Sequence, residues 1–92
     1  MSTVTELMLL PGTVIVDVRL PEEFNAGHAE ASINIPLKEL TARLGELRQM
    51  QNIVVCCASG VRSQKASQIL KQNEIDCCDG GSWVTLNNYS NN

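Results

Sequence analysis

The sequence predicts a small α/β domain: a parallel sheet with helices on both faces. Three observations predict it. Short β-branched runs alternate along the chain with segments of helical periodicity, the order that builds a parallel sheet. The strand-like runs are apolar almost throughout, as strands covered on both faces are. Ile53 to Ser63 reads as strand, loop and helix within one short stretch, with a cysteine where the strand ends.

Taken in order, Thr3-Val4-Thr5-Glu6 has capping-box spacing and leads into Leu7, Leu9 and Leu10, a short first helix ended by Pro11-Gly12. Val14 to Val18 is a buried strand in which only Asp17 is not β-branched. Leu20 to Asn25 is a loop and one helical turn, opened by Pro21 with two acids behind it. Ser32 to Ile35 is a second short strand. Leu37, Leu40, Leu44 and Leu47 recur at helical spacing and predict a helix from about Pro36 to Met50, with Gly45 as the point of a break or kink. Ile53 to Cys57 is a third strand. Arg62 to Asn73 is a helix that buries Ala66, Ile69 and Leu70. Ile75 to Cys78 is a fourth strand, Asp79-Gly80-Gly81 a turn, and Ser82 to Asn88 a last helical turn. Tyr89 to Asn92 reads as a frayed, mostly polar end.

Ninety-two residues make one domain, residues 1–92, near the lower size at which a single core holds without staples. The 43% apolar content permits a packed core. A net charge of −3 and the lack of a basic stripe argue against nucleic acid. No stretch reaches membrane-spanning length, and the first residues lack the basic start and apolar run of a signal peptide. The expected compartment is the cytoplasm. The four cysteines lie in two adjacent pairs, Cys56-Cys57 and Cys77-Cys78. Strand neighbours point to opposite faces, so neither pair suits an internal bridge. With no Cys-x-x-Cys and one histidine, His28, a zinc site is not expected. Reduced thiols and no cofactor are the expectation.

The cysteine at the end of the third strand carries the chemistry. Loop amides and a helix N-terminus around a sulfur favour its anion, and the thiolate is the nucleophile. Gly60 lets the loop curl at φ values that other residues avoid. Ser59 and Ser63 offer hydroxyl donors, and Arg62 a permanent cation.

At this point the chain resembles a rhodanese-homology domain of the single-domain sulfurtransferase type, from about Val14 to Trp83. Val16-Asp17-Val18-Arg19 with Pro21-Glu22-Glu23-Phe24 resembles that family's first box. Gly27-His28 and Ile33-Asn34-Ile35-Pro36 resemble the second, and Gly80-Gly81 with Trp83 the closing motif. Cys57-Ala58-Ser59-Gly60-Val61-Arg62-Ser63 resembles the active-site loop. Four boxes in order at fitting spacing are a specific signal. The resemblance implies that Cys57 attacks the outer sulfur of a small anionic donor such as thiosulfate and carries it as a persulfide. Cyanide, sulfite or a thiol then takes it away. A protein sulfur donor or acceptor is a further expected partner. Two departures stand out. Ala29-Glu30-Ala31-Ser32 replaces the family's usual Ile-Pro-Gly-Ala, and Ala58 stands where many members carry a basic residue.

Each site residue also has a plainer reading. Cys56 is expected in the core. Counted from Cys56, however, Arg62 falls at Cys-x5-Arg spacing, that of a Cys-based phosphatase or arsenate-reductase loop. That is the minority reading, beside a persulfide carrier fed by a partner. Asp17 is expected to accept hydrogen bonds from loop amides or an arginine. Arg19 either lines the pocket or pairs with Glu22 or Glu23. His28 is expected to fix a turn, and Trp83 to plug the core or the rim. Cys77 and Cys78 read as strand packing. A sharper alternative makes Cys78 the residue that resolves an oxidised Cys57 as a disulfide.

Overall fold

The computed structural model describes residues 4–90. The elements are α1 (Val4–Met8), β1 (Thr13–Asp17), α2 (Pro21–Ala26), β2 (Ile33–Asn34), α3 (Leu44–Arg48), β3 (Gln51–Cys57), α4 (Val61–Gln72), β4 (Cys77–Ser82) and α5 (Trp83–Ser90). Two 3-10 turns, Leu37–Glu39 and Thr41–Arg43, stand between β2 and α3. The Thr3 end of the expected capping box and residues 91 and 92 lie outside the described residues.

The strands form one parallel sheet in the order β2-β1-β3-β4. Alternation along β3 divides the core into two layers. Ile53, Val55 and Cys57 face one side with Val16, Val18, Ile35, Leu40, Leu47, Ala66, Leu70 and Ile75. Val54 and Cys56 face the other with Leu7, Ile15, Ala29 and Leu86. Helix α4, α3 and the 3-10 turns cover the first side, and α1 and α5 the second. Burying each of the Val, Leu and Ile side chains among them contributes about 1.5–3 kcal/mol. The predicted α/β class, with helices on both faces, is what the structure shows. Among the described residues no helix is long and apolar enough to cross a membrane.

Three expected elements differ. The long helix over 36–50 is instead two 3-10 turns followed by a five-residue helix. Arg43, at φ −119 and ψ 23, leaves helical geometry just before α3. Asp79-Gly80-Gly81 is not a turn but part of β4. Val55 pairs with Asp79 and Cys57 with Ser82, so β4 holds one residue more than β3 across this interval. That is a β-bulge, and Gly81 takes its left-handed φ of +71 there. Tyr89 and Ser90 continue α5 rather than fraying.

Candidate active site

The carboxyl ends of β1, β3 and β4 meet at one edge of the sheet, where open α/β sheets bind ligands. Strand β3 delivers Cys57 there, and the chain then turns through Ala58, Ser59 and Gly60 into α4. Gly60 makes the turn possible, at φ +103, a value that costs an L residue about 1–2 kcal/mol. The loop folds back on the sulfur. The Gly60 N–H donates to Cys57 Sγ at 3.0 Å and the Ser63 N–H at 3.3 Å. The Ser63 hydroxyl donates to Gly60 O at 3.0 Å and so ties the loop to the first turn of α4.

Burial opposes ionisation of Cys57. The Ser63 hydroxyl and the amides of Ser63, Gly60 and Arg62 outweigh it, and the thiol lies below its ordinary value. The single Ser63 proton serves either role, locking Gly60 or capping the sulfur anion. Cys57 itself is fully buried, whereas Ala58, Ser59 and Val61 are exposed. Cys56 has the opposite environment. It faces the other core layer, and burial and the Asp17 carboxylate push its thiol up to about 12.

The two arginines at this edge are both paired. Arg62 donates Nη1 to Glu23 Oε1 at 2.6 Å and Nη2 to Glu23 Oε2 at 2.9 Å. Glu23 also accepts the Leu20 N–H at 3.1 Å. The Arg62 and Leu20 hydrogen bonds hold its carboxyl down to about 2. Arg19 forms its ion pair with Asp17, not with Glu22 or Glu23. Nε reaches both carboxylate oxygens at 3.0 Å and Nη2 reaches Oδ2 at 2.8 Å. Nη2 also donates to Gly27 O at 2.6 Å, and the guanidinium lies 4.9 Å from the Trp83 ring. With 5% exposure, Arg19 is buried among Asp17, Gly27 and Trp83. Asn34 Nδ2 bridges Asp17 O and Arg19 O. His28 Nδ1 is hydrogen-bonded to Phe24 O at 2.7 Å, and its ring stacks on Phe24.

Cys57, Gly60, Arg62 and Ser63 thus come together, while Asp17 and Arg19 form a separate buried pair and His28 stays on an exposed turn. Glu23 was not among the expected site residues. The signal was present in the acids behind Pro21, but which arginine they meet depends on the fold. The Cys57–Cys78 disulfide does not suit this arrangement. Cys78 pairs with Val54, three residues before Cys57, about 10 Å along the strand, and packs on the other face. None of the four cysteines is in a disulfide. Among the described residues no His, Cys, Asp or Glu cluster has the makings of a metal site.

Comparison with known proteins agrees with this geometry. The model of the Rhodanese-like domain matches residues 2–85. The chain is 34% identical over 78 residues to the thiosulfate sulfurtransferase GlpE of Shewanella oneidensis, covering 79% of this chain and 77% of that protein. It is 39% identical over 80 residues to thiosulfate sulfurtransferase 16, chloroplastic, of Arabidopsis thaliana, covering 71% of this chain. It spans 64% of that plant protein's length. A rhodanese-like domain protein from Staphylococcus aureus superposes with a TM-score of 0.76 at 28% identity, over 88% of this chain and 79% of that one. With its four-stranded parallel sheet and strand-end cysteine loop, the chain belongs to the rhodanese-like domain family.

Proposed function

We propose that the protein is a sulfurtransferase that carries sulfane sulfur as a persulfide on Cys57. One observation carries the reading. A buried sulfur at a strand end receives the Gly60 and Ser63 amides at 3.0 and 3.3 Å, and its acidity is raised in spite of burial. That environment stabilises an anion on sulfur without a metal or a neighbouring base.

With thiosulfate as donor, the Cys57 thiolate attacks the outer sulfur. A new S–S bond forms, the old one breaks, and sulfite leaves with the electron pair. The persulfide anion extends into the ring of amides and hydroxyls of Ala58 to Ser63. Cyanide or a thiolate then attacks the outer sulfur and restores the Cys57 thiolate, a two-stage covalent cycle. The relatives named as thiosulfate sulfurtransferases support this assignment. The reading of Cys56 as a phosphatase-type nucleophile has little support. Its thiol is pushed up to about 12 and it faces away from the loop.

Intact mass after thiosulfate treatment tests the proposal. Wild type and Cys56→Ser gain one sulfur atom and Cys57→Ser gains none. A sulfur retained by Cys57→Ser ends the assignment. Steady-state turnover with thiosulfate and cyanide then separates an enzyme from a partner-fed carrier, which loads but does not turn over.

A further inference from the structure

We propose that the cleft at the amino ends of β3 and β4 is a second site, separate from Cys57: it binds small disulfides with amino-acid ends, and Cys78 takes one half as a mixed disulfide. The cleft holds about 640 Å³, within the range of about 300–1,000 Å³ of small-molecule sites. Asn52 borders it, and Cys57 lies roughly 17 Å further along β3, at the other end of the sheet. Charges of both signs line it. Arg48 comes from the end of α3, and Glu74 and Asp76 from the connection of α4 to β4. All three are exposed. Arg48 donates Nη2 to Asn73 O at a long 3.4 Å, and among the described residues none of the three forms an ion pair. Glu74 keeps its place at the cost of a left-handed φ of +61.

Two thiols border the same cleft from opposite faces of β4. Cys77 is 7% exposed and lies 3.7 and 3.8 Å from Ser67 Oγ and O. Cys78 is half-buried and the more open of the two. Sulfurs on opposite faces do not share a metal ion, and among the described residues no metal-binding cluster exists. Two carboxylates against one arginine oppose a polyanion. A disulfide flanked by an α-carboxylate and an α-ammonium matches every group present. Its carboxylate meets Arg48, its ammonium Glu74 and Asp76, and its sulfur Cys78. Leu7, Met50 and Ile53 supply apolar contact for its methylenes.

The bound disulfide R–S–S–R is itself the oxidant. The Cys78 thiolate attacks one sulfur, the Cys78 Sγ–S bond forms as the S–S bond breaks, and RS⁻ leaves with the electron pair. Cys78 is oxidised to Cys78–S–S–R and the other half is reduced to a thiol, which takes up the proton that Cys78 gave up.

The test treats Cys57→Ser, which lacks the loop thiol, with glutathione disulfide and, as an uncharged comparison, with bis(2-hydroxyethyl) disulfide. Intact mass gives the rate and peptide mass the residue. One glutathionyl group attaches, at Cys78, at a rate that saturates with glutathione disulfide, while the uncharged disulfide shows no saturation. Arg48→Gln added to Cys57→Ser slows the glutathione reaction about fivefold, the upper end of what an exposed ion pair contributes, and leaves the uncharged reaction unchanged. The disulfide of mercaptopropionate has carboxylates but no ammonium. It gains from Glu74→Gln with Asp76→Asn, whereas glutathione disulfide at low salt binds those variants more weakly. Attachment at Cys77, a glutathione rate linear in concentration, or an unchanged rate in Arg48→Gln overturns the proposal. So does the lack of any attachment to protein that is folded by circular dichroism. Should Cys57→Ser fail to fold, wild type gives the same readout, because peptide mass separates Cys78 from Cys57. None of these outcomes bears on sulfur loading at Cys57, so the two readings stand or fall apart.

Discussion

Cys56 and Cys57 are covalent neighbours with opposite acid chemistry, because consecutive strand residues face opposite sides of the sheet. Cys57 points to the loop amides and lies below its ordinary value, while Cys56 points to Asp17 and is pushed up to about 12. The proposed nucleophile and its internal control are thus adjacent residues of one strand.

Selective alkylation follows from that contrast. Iodoacetamide near neutral pH should modify Cys57 before Cys56, as located by peptide mass. The rate should rise with pH and level off below the usual range of a free cysteine, since the reactive thiolate fills as pH passes the lowered value. Cys57→Ser should remove the fast phase, whereas Cys56→Ser should keep it. First modification at Cys56 is the result that sinks the assignment of the nucleophile.

The Asp17–Arg19 pair predicts a large stability effect away from the sulfur. Both side chains are buried, at 0% and 5% exposure. Asp17→Asn leaves a buried guanidinium without its countercharge, which costs about 3–5 kcal/mol. Against a typical total of about 5–15 kcal/mol, that brings the domain close to unfolding. Urea midpoints check it. Arg19→Met added to Asp17→Asn should recover part of the loss, because no unpaired charge then remains inside.

Gly80 and Gly45 predict opposite responses to the same change. A Cβ on Gly80 would lie 2.7 Å from Val54 Cγ1, 2.9 Å from Leu86 Cδ1 and 3.1 Å from Val55 O. Gly80→Ala should therefore cost about 1–3 kcal/mol through overpacking where β4 meets α5. Gly45 has nothing within 4 Å of that position. Gly45→Ala should leave stability unchanged or raise it by up to about 1 kcal/mol. Equal midpoints for the two variants would remove the packing account of the β4 bulge.

The class of fold and the strand-end cysteine loop were legible in the sequence because both are local. Val14 to Val18 and Ile53 to Cys57 announce buried strands by composition alone. The leucines over 36–50 misled because 3-10 turns also repeat every three residues. Leu37 and Leu40 keep their inward side in either geometry, and Leu40 and Leu47 are fully buried without a continuous helix. Gly80-Gly81 looked like a turn because two glycines mark both a turn and a bulge. Tight packing against Val54 and Leu86 decides between them. The partners of the charges were the least legible. Arg19 had Glu22 and Glu23 within reach along the chain. It takes Asp17 because the strand end holds Asp17 inside, which leaves Glu23 for Arg62, 39 residues away.

The departure at Ala31 predicts a stabilising substitution. Ala31 adopts φ +66, in the left-handed region, at the turn into β2, where Ser32 N–H and its hydroxyl both donate to Ala29 O. The hydrogen bonds hold the turn, and alanine carries a steric cost of about 1–2 kcal/mol there. Glycine removes that cost but adds chain entropy to the unfolded state, about 0.4–1 kcal/mol in the other direction. Ala31→Gly should therefore raise stability by roughly 0.5–1 kcal/mol, a rise in Tm of a few degrees for a domain of this size. Ala31→Val, with a branched side chain at the same φ, should lower it. The turn lies on the approach to β2, away from the Cys57 loop. Ala31→Gly should accordingly leave sulfur loading at its wild-type rate while the Tm moves. A lower Tm would mean that the left-handed turn is not what Ala31 strains against.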